Sequence, residues 1–141
     1  MDIRLESNAK EVSKRIGKKG KELSDSFKMA LLKTGIYGLN IIEDRTAKGN
    51  EIGGTAFEGY TEKYAFFRAS KGRTPVKVDL RFTGQMLSSM SVKANSKQAE
   101  IYFLRATEAK KAAMNNKKRP FFGFSRLDEK RLGEVFFKAL K

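Results

Sequence analysis

Residues 21–44 read KELSDSFKMALLKTGIYGLNIIED, and their spacing decides the architecture. Leu23, Phe27, Ala30, Leu31, Thr34, Gly38 and Ile41 recur at helical intervals. Together they make one apolar stripe about 100° wide. The spacing predicts a helix from about Lys21 to Asp44, the spine of the fold. Upstream, Ile3 and Leu5 flank Arg4 with strand-like alternation. Asn8 and Glu11 have the spacing of a capping box, ahead of Ala9, Val12 and Ile16 at helical intervals. Gly17 and Gly20 bracket Lys18 and Lys19 and predict a break or kink.

Downstream of the spine the character changes. Gly49, Gly53, Gly54, Gly59 and Gly72, closed by Pro75, predict an extended loop or arm over 46–75. It holds a dense aromatic group of Phe57, Tyr60, Tyr64, Phe66 and Phe67. Two readings stand: the rings cap the core beneath the loop, or the segment protrudes and packs on a neighbouring subunit. Val76, Val78 and Leu80 alternate with Lys77, Asp79 and Arg81, as in a strand. Thr83 and Gly84 begin a short helical turn. A strand through 91–97 and the run Ala99-Glu100-Ile101-Tyr102-Phe103-Leu104 predict a hairpin turning at Asn95-Ser96-Lys97. Thr107 is the expected cap of a short helix through Met114. Pro120 ends a polar stretch, Phe121-Phe122-Gly123-Phe124 is an apolar knot, and Ser125 with Asp128 forms another capping box. Leu132, Val135, Phe136 and Leu140 give the last helix its apolar face. The expected class is α+β: one domain over 1–141, a long N-terminal helix packed on a small antiparallel sheet, a protruding loop or hairpin, and a C-terminal helix.

The chain carries 30 Lys+Arg against 16 Asp+Glu in 141 residues, a net charge of +14. Half of that excess, +7, falls on residues 105–141. Such a field favours anionic partners. The chain has no cysteine and no histidine. That removes thiol chemistry, the commonest zinc ligands and the commonest general base. A Ser hydrolase then lacks its base. Glu43 and Asp44 are adjacent, so they point in different directions and make no catalytic pair. Gly17-Lys18-Lys19-Gly20-Lys21 lacks the spacing and the Lys-Ser/Thr end of a phosphate-binding loop. The reading is therefore not an enzyme, with no cofactor. No run approaches the roughly 20 apolar residues of a membrane span. Met1–Glu6 alternates charge with aliphatics, unlike a signal peptide. The expectation is a soluble chain made in the cytoplasm.

Lys117-Lys118-Arg119 is the sharpest basic cluster. It reads either as a solvated run or as a phosphate contact, which leaves a basic nucleic-acid-binding module as the alternative function. Arg119 has a further reading, paired with a carboxylate at a subunit boundary. Phe121 and Phe122 are candidates for the core or for an interface.

The order of motifs resembles the small virion morphogenesis and tail completion proteins of tailed phages, including minor tail protein Z-like neck proteins. The resemblance rests on Arg45-Thr46 leading into the Gly/aromatic loop, then Asp79-Leu80 with Thr83-Gly84-Gln85-Met86-Leu87-Ser88-Ser89. It continues with the strand Glu100-Ile101-Tyr102-Phe103 and closes on Arg119-Pro120-Phe121-Phe122-Gly123-Phe124-Ser125 before a short helix. It covers most of the chain and is weakest over residues 1–40. A departure is the basic, helix-like stretch Arg105–Asn116, without the family's nearby histidine. The resemblance implies a homo-oligomeric, sixfold ring in the virion, stacked between the head connector and the tail tube. It implies no catalysis and no cofactor, and the basic surface suits docking onto acidic neighbours or lying, without sequence specificity, near packaged DNA. The residues expected to serve assembly are Phe57, Tyr60, Tyr64, Phe66, Phe67, Arg119, Phe121 and Phe122.

Overall fold

A computed structural model describes residues 1–6 and 20–140. The expected capping box at Asn8 and Glu11, the positions Ala9, Val12 and Ile16, and Gly17 lie outside the described residues. The elements run β1 (Ile3–Glu6), α1 (Gly20–Ala47), α2 (Glu62–Ser70), α3 (Gln85–Ser88), β2 (Met90–Ala94), β3 (Gln98–Phe103), α4 (Ala106–Lys118) and α5 (Arg126–Ala139). This is an α+β fold in which the long helix α1 packs on a small antiparallel sheet, with α5 alongside.

The sheet has the order β1-β3-β2 and is antiparallel throughout. β3, the richest in apolar residues, takes the centre. Ile3, Ile101 and Val92 lie in register on the face toward α1. Ala99 and Ile101 are fully buried there. On the other face Glu100 lies opposite both Arg4 and Lys93, at 3.6 and 3.9 Å. The hairpin turns at Asn95-Ser96-Lys97 as expected. The Asn95 Oδ1 accepts the N–H groups of Lys97 and Gln98 at 2.8 and 2.9 Å, which closes the turn from within.

α1 buries Ala30, Leu31, Thr34, Gly35, Gly38, Ile42 and Thr46, so the stripe follows the predicted spacing and shifts from Ile41 to Ile42 at its end. Two glycines set its distance from the core. A Cβ at Gly35 would stand 2.6 Å from Val92 Cγ1, and one at Gly38 would stand 2.8 Å from Phe124 Cζ. α5 packs on α1 through Phe27 and Phe136, with ring centroids 5.7 Å apart. The capping box at its start is present: the Ser125 hydroxyl accepts from Asp128 N–H, and the Asp128 carboxylate accepts from Ser125 N–H.

Three sequence expectations change. Residues 46–75 are not one open loop. Residues 49–57 fold back as a tight turn, with Phe57 N–H donating to Gly49 O at 2.9 Å and Glu51 N–H to Thr55 O at 2.8 Å. Residues 62–70 are helical, started by Thr61, whose hydroxyl accepts from Tyr64 N–H. The alternation at 76–81 makes no strand: Val76 is exposed and Val78 buried, but Leu80 takes φ 57°, and Asp79 accepts from Arg81 N–H in an Asx turn. α4 begins at Ala106 behind Arg105 rather than behind Thr107, and runs on to Lys118. Asn115, Lys117 and Lys118 extend it because no helix breaker precedes Pro120.

Candidate functional site

Three arginines, Arg45, Arg68 and Arg119, hold the loops of this fold through backbone carbonyls. Arg45, in the last turn of α1, donates from Nη2 to Phe121 O at 2.9 Å and to Gly123 O at 2.7 Å. Its Nη1 donates to Asp128 Oδ2 at 2.7 Å. That oxygen also accepts from Ser125 N–H, so one carboxylate ties the end of α1 to the start of α5. Burial lowers the Arg45 pKa, and the charge and hydrogen bond of Asp128 push it back up. Its buried Nε has no hydrogen-bond partner among the described residues.

Arg119 donates from Nε to Glu58 O at 2.8 Å and from Nη2 to Gly59 O at 3.0 Å. Its neighbour Pro120 O accepts from Ile52 N–H at 2.9 Å. The apolar knot follows. Phe121 and Phe122 are buried, their N–H groups both donate to Asn116 Oδ1 at 3.0 Å, and Phe122 meets Phe103 edge-on at 5.1 Å. The closing motif is thus a clamp. Arg119 holds the chain at 58–59, the two rings fill the core, Gly123 gives its carbonyl to Arg45, and Ser125 starts α5.

Arg68 is 1% exposed, the largest fully buried side chain among the described residues. It donates to Thr74 O at 2.9 Å and Arg81 O at 3.1 Å and lies 3.5 Å from Asp79 Oδ1. Its guanidinium stands 4.7 Å from the Tyr60 ring centre. Arg119 reaches the same ring at 5.1 Å, so Tyr60 lies against two cations. Burial raises the Tyr60 pKa, and this outweighs the lowering by Arg68. Among the described residues no other helix or strand packs closely along α2. Its own loop secures it, through Arg68 and the ring series Tyr60, Tyr64, Phe67 and Phe82.

The candidate assembly residues therefore separate. Phe57, Phe121 and Phe122 belong to the core, where burial removes them from direct contact with a partner. Arg119 is buried as well; carbonyls, not a carboxylate at a subunit boundary, satisfy it. Tyr60 is half-buried, and Tyr64, Phe66 and Phe67 stand exposed on α2. The run Lys117-Lys118-Arg119 is not a three-cation surface, because Arg119 turns inward. Lys117 and Lys118 stay exposed at the end of α4, where they offset its negative pole. Sequence reasoning passed over Arg68; the signal was its position four residues after Tyr64, where a ring and a guanidinium share a helix face.

Beside α2 opens a cleft of about 290 Å³ whose lining includes Tyr64, Arg68, Phe82, Thr83, Glu108 and Lys111. Glu108 is buried and meets Lys111 Nζ at 3.1 Å through Oε1, while its buried Oε2 has no hydrogen-bond partner among the described residues. The cleft brings together one carboxylate, Glu108, and two cations, Arg68 and Lys111. Among the described residues no three Asp or Glu side chains gather as a metal site. Nor, among those residues, is any helix long and apolar enough to cross a membrane. No family model matches the chain, and no curated protein or solved structure matches it either.

Proposed function

We propose that the chain is a structural subunit of a tailed-phage neck or tail-completion ring, joining the head connector to the tail tube, and that it catalyses nothing. The observation that carries this reading is the way the resembling motifs meet in space. Arg45 and the closing run Arg119–Ser125 are far apart in sequence and form one buried clamp. Motifs that share a rigid clamp act as one unit, and a ring subunit needs such a body to carry repeated contacts. The arm at 46–75, ending in the exposed rings of α2, supplies the outward surface.

The test is co-expression with a head connector protein and a tail-tube protein. Co-purification, and a ring in the electron microscope, is the expected result. The competing nucleic-acid reading predicts instead that the isolated chain binds DNA at about 150 mM salt and loses it steeply as salt rises. That result, without co-purification, overturns the ring.

A further inference from the structure

We infer that the outward face of α2 docks onto an acidic protein surface with an apolar pocket, and that this partner is a different chain rather than a second copy. The inference rests on the assembly reading and names the partner chemistry of its arm. Phe66 points away from the body and is 79% exposed, and Val76, just past the arm, is 86% exposed. Lys63, Lys71 and Arg73 on this arm, and Lys77 and Arg81 just past it, are all exposed, against two exposed acids, Glu62 and Glu58, the latter 3.8 Å from Lys118 Nζ. An apolar anchor with a cationic rim has the composition of a protein-docking hot spot. The face is also fixed before docking, by the Thr61 cap at one end of α2 and Arg68 underneath, so little order is left to impose on binding.

Two other occupants fit less well. Single-stranded nucleic acid needs a run of free ring faces on which successive bases stack, and on this arm Phe66 offers one. Here Tyr64, Phe67 and Phe82 stack on one another, at 6.1 and 5.8 Å, and the Arg73 guanidinium stands 5.7 Å from the Phe82 ring centre. A second copy brings another +14. Its acids are partly spoken for: Asp128 by Arg45, Asp79 by Arg68, Glu100 by Arg4 and Lys93, and Glu108 by Lys111. Charge complementarity then calls for a separate, acidic chain.

The experiment selects a random-peptide display library on the full chain, with subtraction on Phe66→Asp. Phe66 is so exposed that this variant keeps its fold, checked by an unchanged melting curve. The expected winners carry net negative charge around an apolar anchor. Their affinity falls about tenfold or more in Phe66→Asp and in Lys71→Glu/Arg73→Glu, and weakens between about 50 and 200 mM salt. Neutral or basic winners, no enrichment over Phe66→Asp, or displacement of the peptides by a dT oligonucleotide overturns the inference. Light scattering separates the two proposals. If Phe66→Asp dissolves an oligomer of the wild type, the face is a contact between copies; the docking inference fails and the ring stands. If acidic peptides are selected but connector and tube proteins do not co-purify, the docking face stands and the ring fails.

Discussion

Arg45 and Arg68 solve the same problem in opposite surroundings. Each is a charged group taken out of water, and each donates to two backbone carbonyls and lies near one carboxylate. Arg45 does so between two long helices, where its carboxylate is also the cap of α5. Arg68 does so inside a short arm, with aromatic rings around it. The first guanidinium binds distant parts of the chain into one body; the second shapes a local surface that the body carries. The same side-chain chemistry thus yields global cohesion in one place and a preformed outward face in the other.

That contrast sets the size of mutational effects. Arg45→Met leaves Asp128 buried without its cation, and a broken buried pair costs about 3–5 kcal/mol. Urea unfolding should register that loss over the whole molecule, and Arg45→Met/Asp128→Asn should recover part of it. Arg68→Met removes charged hydrogen bonds of about 1.5–3 kcal/mol. Its effect should stay local: amide exchange and proteolysis speed up over 62–82, while exchange in β3 and α1 stays slow. Global unfolding in this variant would erase the distinction. Ser125→Ala removes the cap of α5 and costs about 1 kcal/mol, read in the same urea experiment. The smallest effect belongs to Tyr60. Burial raises its pKa, so the neutral phenol is favoured in the fold. Its contribution is complete below the ordinary tyrosine value, about 10, and is lost as pH rises through the higher folded value. Melting temperature should therefore drop in that alkaline window, and Tyr60→Phe should flatten that part of the profile.

Much of the body was legible in the sequence, because its determinants are local or periodic. The spacing from Leu23 to Ile41 gives α1, Asn95 gives the hairpin turn, and Ser125 with Asp128 gives the start of α5. The arm was harder to read. Glycines at 49, 53, 54, 59 and 72 announce loop, and the helix between Glu62 and Ser70 is short enough to be hidden by them. Arg68 was illegible for a different reason. An arginine in a segment bounded by loop glycines reads as solvated, and only the folded chain brings Thr74 O, Arg81 O and Asp79 around it. The same holds for Arg119, whose partners lie sixty positions away. Periodicity reveals which faces are apolar, whereas a buried cation is defined by carbonyls that carry no residue signature.

The clamp at Arg45 joins partners 83 positions apart, and β1 pairs with β3 from the opposite direction, Ile3 against Ile101. A ribosome must therefore pass Asp128 before α1 can be locked. A message cut short upstream of Asp128 yields a product with its guanidinium unmet and its C-terminal helix missing. Such fragments cannot settle into the finished shape, and quality-control proteases meet them as open chains rather than as defective building blocks.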